Sequence, residues 1–224
     1  LNLRQIMNPI YQSKPVRLPS TLGVLFTLLL AAFFWWVIFG KEAVNFWLGM
    51  SAATSTLAAL SLLLGGRDFR RSLLKFPGST TFWLGLASAV ALYVVFEVGY
   101  FCSRLLFSTT PEVVGNIYAI RSKAGPLVIT LVLLFITSPC EEIFWRGFLQ
   151  RWAVGRFGLM AGWILSTLLY SAVHITSGNW MLVMAAMVAG AFWGLLYLLT
   201  QNLWACILSH AFWAVLIFIL IPIP

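Results

Sequence analysis

Charge is what this sequence has least of. Only 9% of its 224 residues are Asp, Glu, Lys or Arg, against about 25% in an average soluble domain. No polar stretch is long enough to build a separate soluble domain. Apolar stretches of about 20 residues recur along the whole length instead, the signature of membrane-crossing helices. Cysteine is scarce too: Cys102, Cys140 and Cys206 stand alone with no CxxC spacing, so neither a disulfide framework nor a zinc ribbon is indicated. There is no internal repeat, no low-complexity tract and no HExxH. What remains is a chain 61% hydrophobic and 16% aromatic. The expected fold is all-α, a polytopic transmembrane bundle of seven to eight spans embedded in the lipid bilayer.

A net charge of +8 does not point to nucleic acid, because the basic residues fall in the short loops flanking spans, where they orient a membrane protein. The segment before Thr21 is polar and basic, and the apolar run after it is too long for a signal-peptide core. Seven spans are expected near 21–40, 45–65, 81–102, 126–151, 158–175, 179–199 and 203–221, punctuated by Gly, Pro, Asn and charge. Residues 1–125 form N-terminal transmembrane helices with an interfacial segment, and 126–224 form the core expected to carry chemistry. Within the first part, Arg67 to Phe76 alternates basic and apolar residues and predicts an amphipathic helix lying on lipid headgroups. Arg104 to Gly125 is the longest polar connection, either a plain loop or a partly embedded segment. Arg4, Lys14, Arg17, Arg67, Arg70, Arg71, Lys75, Arg151 and Arg156 share one side, against Lys41, Arg104, Arg121 and Lys123 on the other. That count favours a cytoplasmic N-terminus.

Three charges break the fourth span, in the stretch ITSPCEEIFWRGFLQRW. A charge at a helix centre costs about 2.5–3.5 kcal/mol unless paired or wetted, so an ionisable residue there is a functional candidate by default. Neighbouring residues on a helix point about 100° apart, so Glu141 and Glu142 have different surroundings. Glu142 and Arg146, four apart with the acid first, neutralise each other. Glu141 is left without a cation at helical spacing, a poorly solvated carboxylate suited to general-base work. Cys140 beside it projects elsewhere and lacks an adjacent base.

The two histidines, His174 and His210, both lie inside spans. Glu141 is 16 residues before the turn at Phe157 and Gly158, and His174 is 16 after it, so an antiparallel hairpin sets them level. His210 fits less neatly, with a depth mismatch of roughly 10 Å at 1.5 Å per residue. A water held between a carboxylate and an imidazole, with a polar group for the developing oxyanion, is what peptide hydrolysis needs.

These residues resemble a known family. EEIFWR is an EExxxR motif, YSAVH (Tyr170 to His174) is similar to FxxxH with Tyr for Phe, and SHAFWA falls where HxxxN/D is expected. Order and setting resemble the CPBP family of CaaX proteases and bacteriocin-processing enzymes, also called Abi proteins, over Ile136 to Leu216. The resemblance implies an intramembrane endopeptidase of the glutamic type, of bacterial or archaeal plasma-membrane location, acting on a membrane-associated peptide or protein. It implies that Glu141 activates water with His174, that His210 serves the oxyanion site, and that Glu142 and Arg146 support. The chain departs from the pattern at Ala214, where the family has Asn or Asp. Alanine donates no hydrogen bond, and the indole of Trp213 is the nearest substitute.

Other readings stay open. Glu141, His174 and His210 form a carboxylate-plus-two-imidazole set of the kind that holds zinc; otherwise no cofactor is expected. A non-enzymatic immunity or scaffold protein, or a transporter using Glu97, is a further class. The tryptophans and FFWWV (Phe33 to Val37) read as lipid and packing contacts.

Overall fold

The structure is a computed structural model and describes residues 18–40, 45–74 and 78–223. The basic residues counted above at positions 4, 14, 17, 41 and 75 lie outside these. Among the described residues there is no strand, and seven helices are long and apolar enough to cross a membrane. They are α1 (Thr21–Gly40), α2 (Phe46–Leu64), α4 (Ser79–Leu106), α6 (Pro126–Phe157), α7 (Leu159–Ser177), α8 (Trp180–Thr200) and α9 (Leu203–Leu220). Two short helices join them, α3 (Gly66–Leu73) and α5 (Thr110–Tyr118).

The outer spans show lipid-facing apolar side chains such as Leu22, Phe26 and Leu29 on α1. The polar residues go inward. Glu142, Arg146 and Gln150 repeat every four residues on α6 and are all buried. Arg146 Nη2 and Gln150 Nε2 donate to the carbonyls of Gly190 and Gly194 on α8 at 3.3 and 2.8 Å. Two glycines four apart bare the α8 backbone where those donors need acceptors.

α6 is not a uniform helix. Pro139 has no N–H to give the turn behind it, and just before it the Ser138 N–H reaches back five residues to Leu133. The backbone is π-helical over Leu133–Thr137 and again over Ile143–Gln150. The wide turns flank Ser138–Glu142, the pattern in which π-bulges mark functional sites. α6 then reverses into α7 at Gly158, whose φ of 87° is left-handed. The two helices close tightly because Gly162 brings α7 against the backbone of Ala153 and Val154. The hairpin expected from the sequence is therefore present.

The depth mismatch expected for His210 does not arise. It rested on α9 starting level with the α6–α7 turn. Instead Leu203, the first residue of α9, packs at Gly147, well inside the bundle. Seven residues of rise, about 10 Å, then bring His210 level with Glu142. The space beneath is filled by α3: Phe69 is buried against Leu203 and Ile207, and Trp204 Nε1 donates to the Leu73 carbonyl at 3.2 Å. Arg67, Arg70 and Arg71 face outward from the same helix, so α3 is amphipathic as its sequence predicts. The long connection 104–125 is not a plain loop. It contains α5 and a 3₁₀ turn over Ala119–Lys123. Asn179 Nδ2 to Val113 (2.9 Å) and Trp47 Nε1 to Ile120 (3.0 Å) tie it down as a roof.

Candidate active site

Under that roof lies a cavity of about 270 Å³, and Glu141, His174, His210, Trp213 and Ala214 all line it. Every expected catalytic residue thus borders one space. Glu142 and Arg146 sit behind it, and Cys140 faces Ser55 on α2 with Sγ 3.9 Å from the hydroxyl. Glu97 lies elsewhere, half-buried on α4, accepting the Tyr93 hydroxyl at 2.5 Å within its own helix.

Glu142 and Arg146 form the i,i+4 pair read from the sequence, Nη1 to Oε1 at 3.0 Å, and both are almost fully buried. The same Oε1 accepts Nδ1–H of His210 at 2.8 Å. The Arg146 guanidinium lies over Tyr170 on one side (4.7 Å) and Trp193 on the other (5.3 Å). Trp193 also stacks on the His210 ring at 3.9 Å and 21°. A charge in lipid is tolerated here because each partner is matched by hydrogen bond, counter-charge or ring face.

Glu141 is held differently. Its Oε2 accepts the hydroxyl of Tyr170 at 3.1 Å, and Oε1 has no donor among the described residues. His174 is engaged at both nitrogens. Nδ1 lies 2.8 Å from the Tyr170 carbonyl, which only accepts, so Nδ1 carries the proton. Nε2 then has its lone pair out, and it accepts the indole N–H of Trp35 at 3.2 Å. The imidazole is fixed as the neutral Nδ1–H form, since a proton on Nε2 would meet the Trp35 donor head-on.

Trp35 is the residue that sequence reasoning missed. It stands in an aromatic run read as lipid and packing contact, and its neighbours Phe33 and Trp36 are indeed exposed. Trp35 itself is fully buried and packs edge-on to Trp145 and His174. The signal that finds it is a 3.6-residue stripe on α1: Val24, Thr27, Ala31, Trp35 and Ile38 are the buried positions.

The indole N–H of Trp213 is buried with no partner among the described residues, beside Ala214 on the cavity wall. A zinc ion held by Glu141, His174 and His210 would have to bind both imidazoles through Nε2, since each Nδ1 is engaged, and would have to displace the Trp35 indole N–H from His174. Among the described residues no three His, Cys, Asp or Glu side chains gather as a metal site.

The segment 123–216 matches the model of a family described as Rce1-like, type II CAAX prenyl endopeptidase. No curated protein and no solved structure matches the chain. The matched segment contains all three motifs and every ionisable residue on the cavity. Over this core the chain is similar to the type II CAAX prenyl endopeptidases, the likeness that its three motifs carry.

Proposed function

We propose that the chain is an intramembrane endopeptidase that cleaves a membrane-associated peptide or protein with a water activated at Glu141. The observation that carries this reading is the meeting of Glu141, His174 and His210 on one cavity. Glu141 takes a proton from water as the water oxygen bonds to the scissile carbonyl carbon. The carbonyl oxygen becomes an oxyanion, and its collapse expels the amine, which receives the proton back from Glu141. His174 offers Nε2 to the water's other hydrogen, which takes the place the Trp35 indole occupies in the substrate-free chain. His210, whose Nδ1–H is held by Glu142, donates to the oxyanion from Nε2–H in its doubly protonated form, and Trp213 donates its indole N–H. No step needs a metal.

The substrate class is supported by a second cavity of about 410 Å³, walled by α4, α5, α8 and α9 and almost wholly apolar. It shares Ile117, Leu182, Trp213 and Phe218 with the first. A peptide with a hydrocarbon anchor would place its anchor there and its amide beside Glu141. The prenyl group named in the matched family's description is one such anchor.

The test uses the purified chain in lipid vesicles with peptides that carry or lack a prenylated cysteine. Cleavage of the prenylated peptide, loss of cleavage in Glu141→Gln and indifference to a chelator are expected. Unchanged cleavage by Glu141→Gln ends the reading. Loss on chelation with recovery on added zinc transfers it to a metalloprotease. Equal cleavage of both peptides removes the prenyl preference alone.

A further inference from the structure

Tyr170 touches three parts of the site at once. Its hydroxyl donates to Glu141 Oε2, its carbonyl accepts Nδ1–H of His174, and its ring lies under the Arg146 guanidinium. The first two contacts come from one residue four positions before His174, a single helical turn of α7. The spacing of base and imidazole is therefore set by one side chain and its own backbone rather than by two helices adjusting independently. The ring is wedged against Gly190, where a Cβ would come within 2.9 Å of Cδ1, and against Trp145, with centroids 5.1 Å apart. The hydroxyl has little freedom to point elsewhere.

A buried tyrosine must find an acceptor, and a helix interior offers many carbonyls. This one bonds instead to the carboxylate that borders the cavity, leaving Oε1 as the oxygen open to water. The motif that YSAVH resembles has phenylalanine at this position. The same ring without the oxygen would fill the same volume and leave Glu141 free to turn about its last torsion.

We infer that Tyr170 is a positioning residue for the hydrolysis proposed above, its hydroxyl holding the Glu141 carboxylate with one oxygen presented to the attacking water. The inference rests on that reading and is separable from it. A misplaced catalytic group costs about 10- to 100-fold even when chemistry and binding groups are intact.

The experiment compares parent, Tyr170→Phe and Glu141→Gln on a peptide that the parent cleaves in vesicles. Tyr170→Phe is expected to lower kcat about 10- to 100-fold, with KM within about twofold of the parent. The carboxyl infrared band of Glu141, assigned by subtracting the Glu141→Gln spectrum, is expected to shift in Tyr170→Phe. An unchanged kcat overturns the inference, and so does a loss that appears in KM or follows a drop in unfolding temperature. If Glu141→Gln still cleaves, the proposed function falls as well. If only Tyr170→Phe behaves as the parent does, the positioning role falls alone.

Discussion

Among the described residues one oxygen of Glu142 serves two partners while its twin serves none: Oε1 lies 3.0 Å from Arg146 Nη1 and 2.8 Å from His210 Nδ1, and Oε2 is buried without a bond. The carboxylate therefore couples a stability element to a site residue. Removing it leaves Arg146 charged and buried, which costs about 3–5 kcal/mol. Glu142→Ala should lower the unfolding midpoint of the purified chain in mild detergent sharply. Glu142→Gln, which keeps an acceptor but not the charge, should lower it less. Cleavage by the double variant Glu142→Gln with His210→Ala should be no slower than by His210→Ala alone, because residues acting through one network are not additive. Additive losses would separate the two roles.

Trp213 gives a prediction in which stability and rate part company. Its N–H makes no bond to any of the described residues, while its ring packs on Phe96 at 4.8 Å and Trp193 at 5.4 Å. Trp213→Phe should keep the unfolding midpoint and lose about 10²–10³ in kcat, the usual cost of one oxyanion donor. Adding Ala214→Asn, which puts a side-chain amide on the same wall, should recover at least about tenfold of that loss. A fully active Trp213→Phe would show that His210 stabilises the oxyanion without it.

The hairpin that sets Glu141 and His174 level depends on Gly162. A Cβ there would sit 2.4 Å from the Val154 nitrogen and 2.5 Å from its Cα, backbone atoms that move only if the helices part. Gly162→Ala should destabilise the chain by at least about 1–3 kcal/mol, the cost of overpacking, and should depress cleavage with it. Circular dichroism melts in detergent and vesicle cleavage rates measure the two effects. Parent-like values of both would mean that the hairpin tolerates spreading.

With only two histidines in the chain, a sample labelled with ¹⁵N-histidine gives a spectrum of the site alone. His174 should show a protonated Nδ1 and an unprotonated, hydrogen-bonded Nε2, as its partners require. In Trp35→Phe the Nε2 resonance should move while Nδ1 stays. A proton found on Nε2 in the parent would contradict the Trp35 contact.

What the sequence revealed was local. The Glu142–Arg146 pair follows from four-residue spacing, and the level placement of Glu141 and His174 follows from counting out from one turn. Both rely on geometry within a single hairpin. His210 was misjudged because its height depends on where α9 starts, and Leu203 is positioned by Gly147 and Phe69, distant in sequence. Trp35 was hidden because lipid and core demand the same apolar surface, so hydropathy does not separate it from Phe33 or Trp36. Only the buried stripe does. Nothing in the sequence besides the missing N–H of Pro139 announces the five-residue turns that widen α6 on both sides of the glutamates.

The α3 helix stands under α9 like a shim. Its arginines face outward and its one buried aromatic, Phe69, presses on the foot of the helix that carries His210. The height of that imidazole is accordingly a joint property of protein and membrane. A basic amphipathic helix of this kind seats on anionic headgroups, so a detergent without them is expected to loosen the footing of the His210 helix before any helix unfolds.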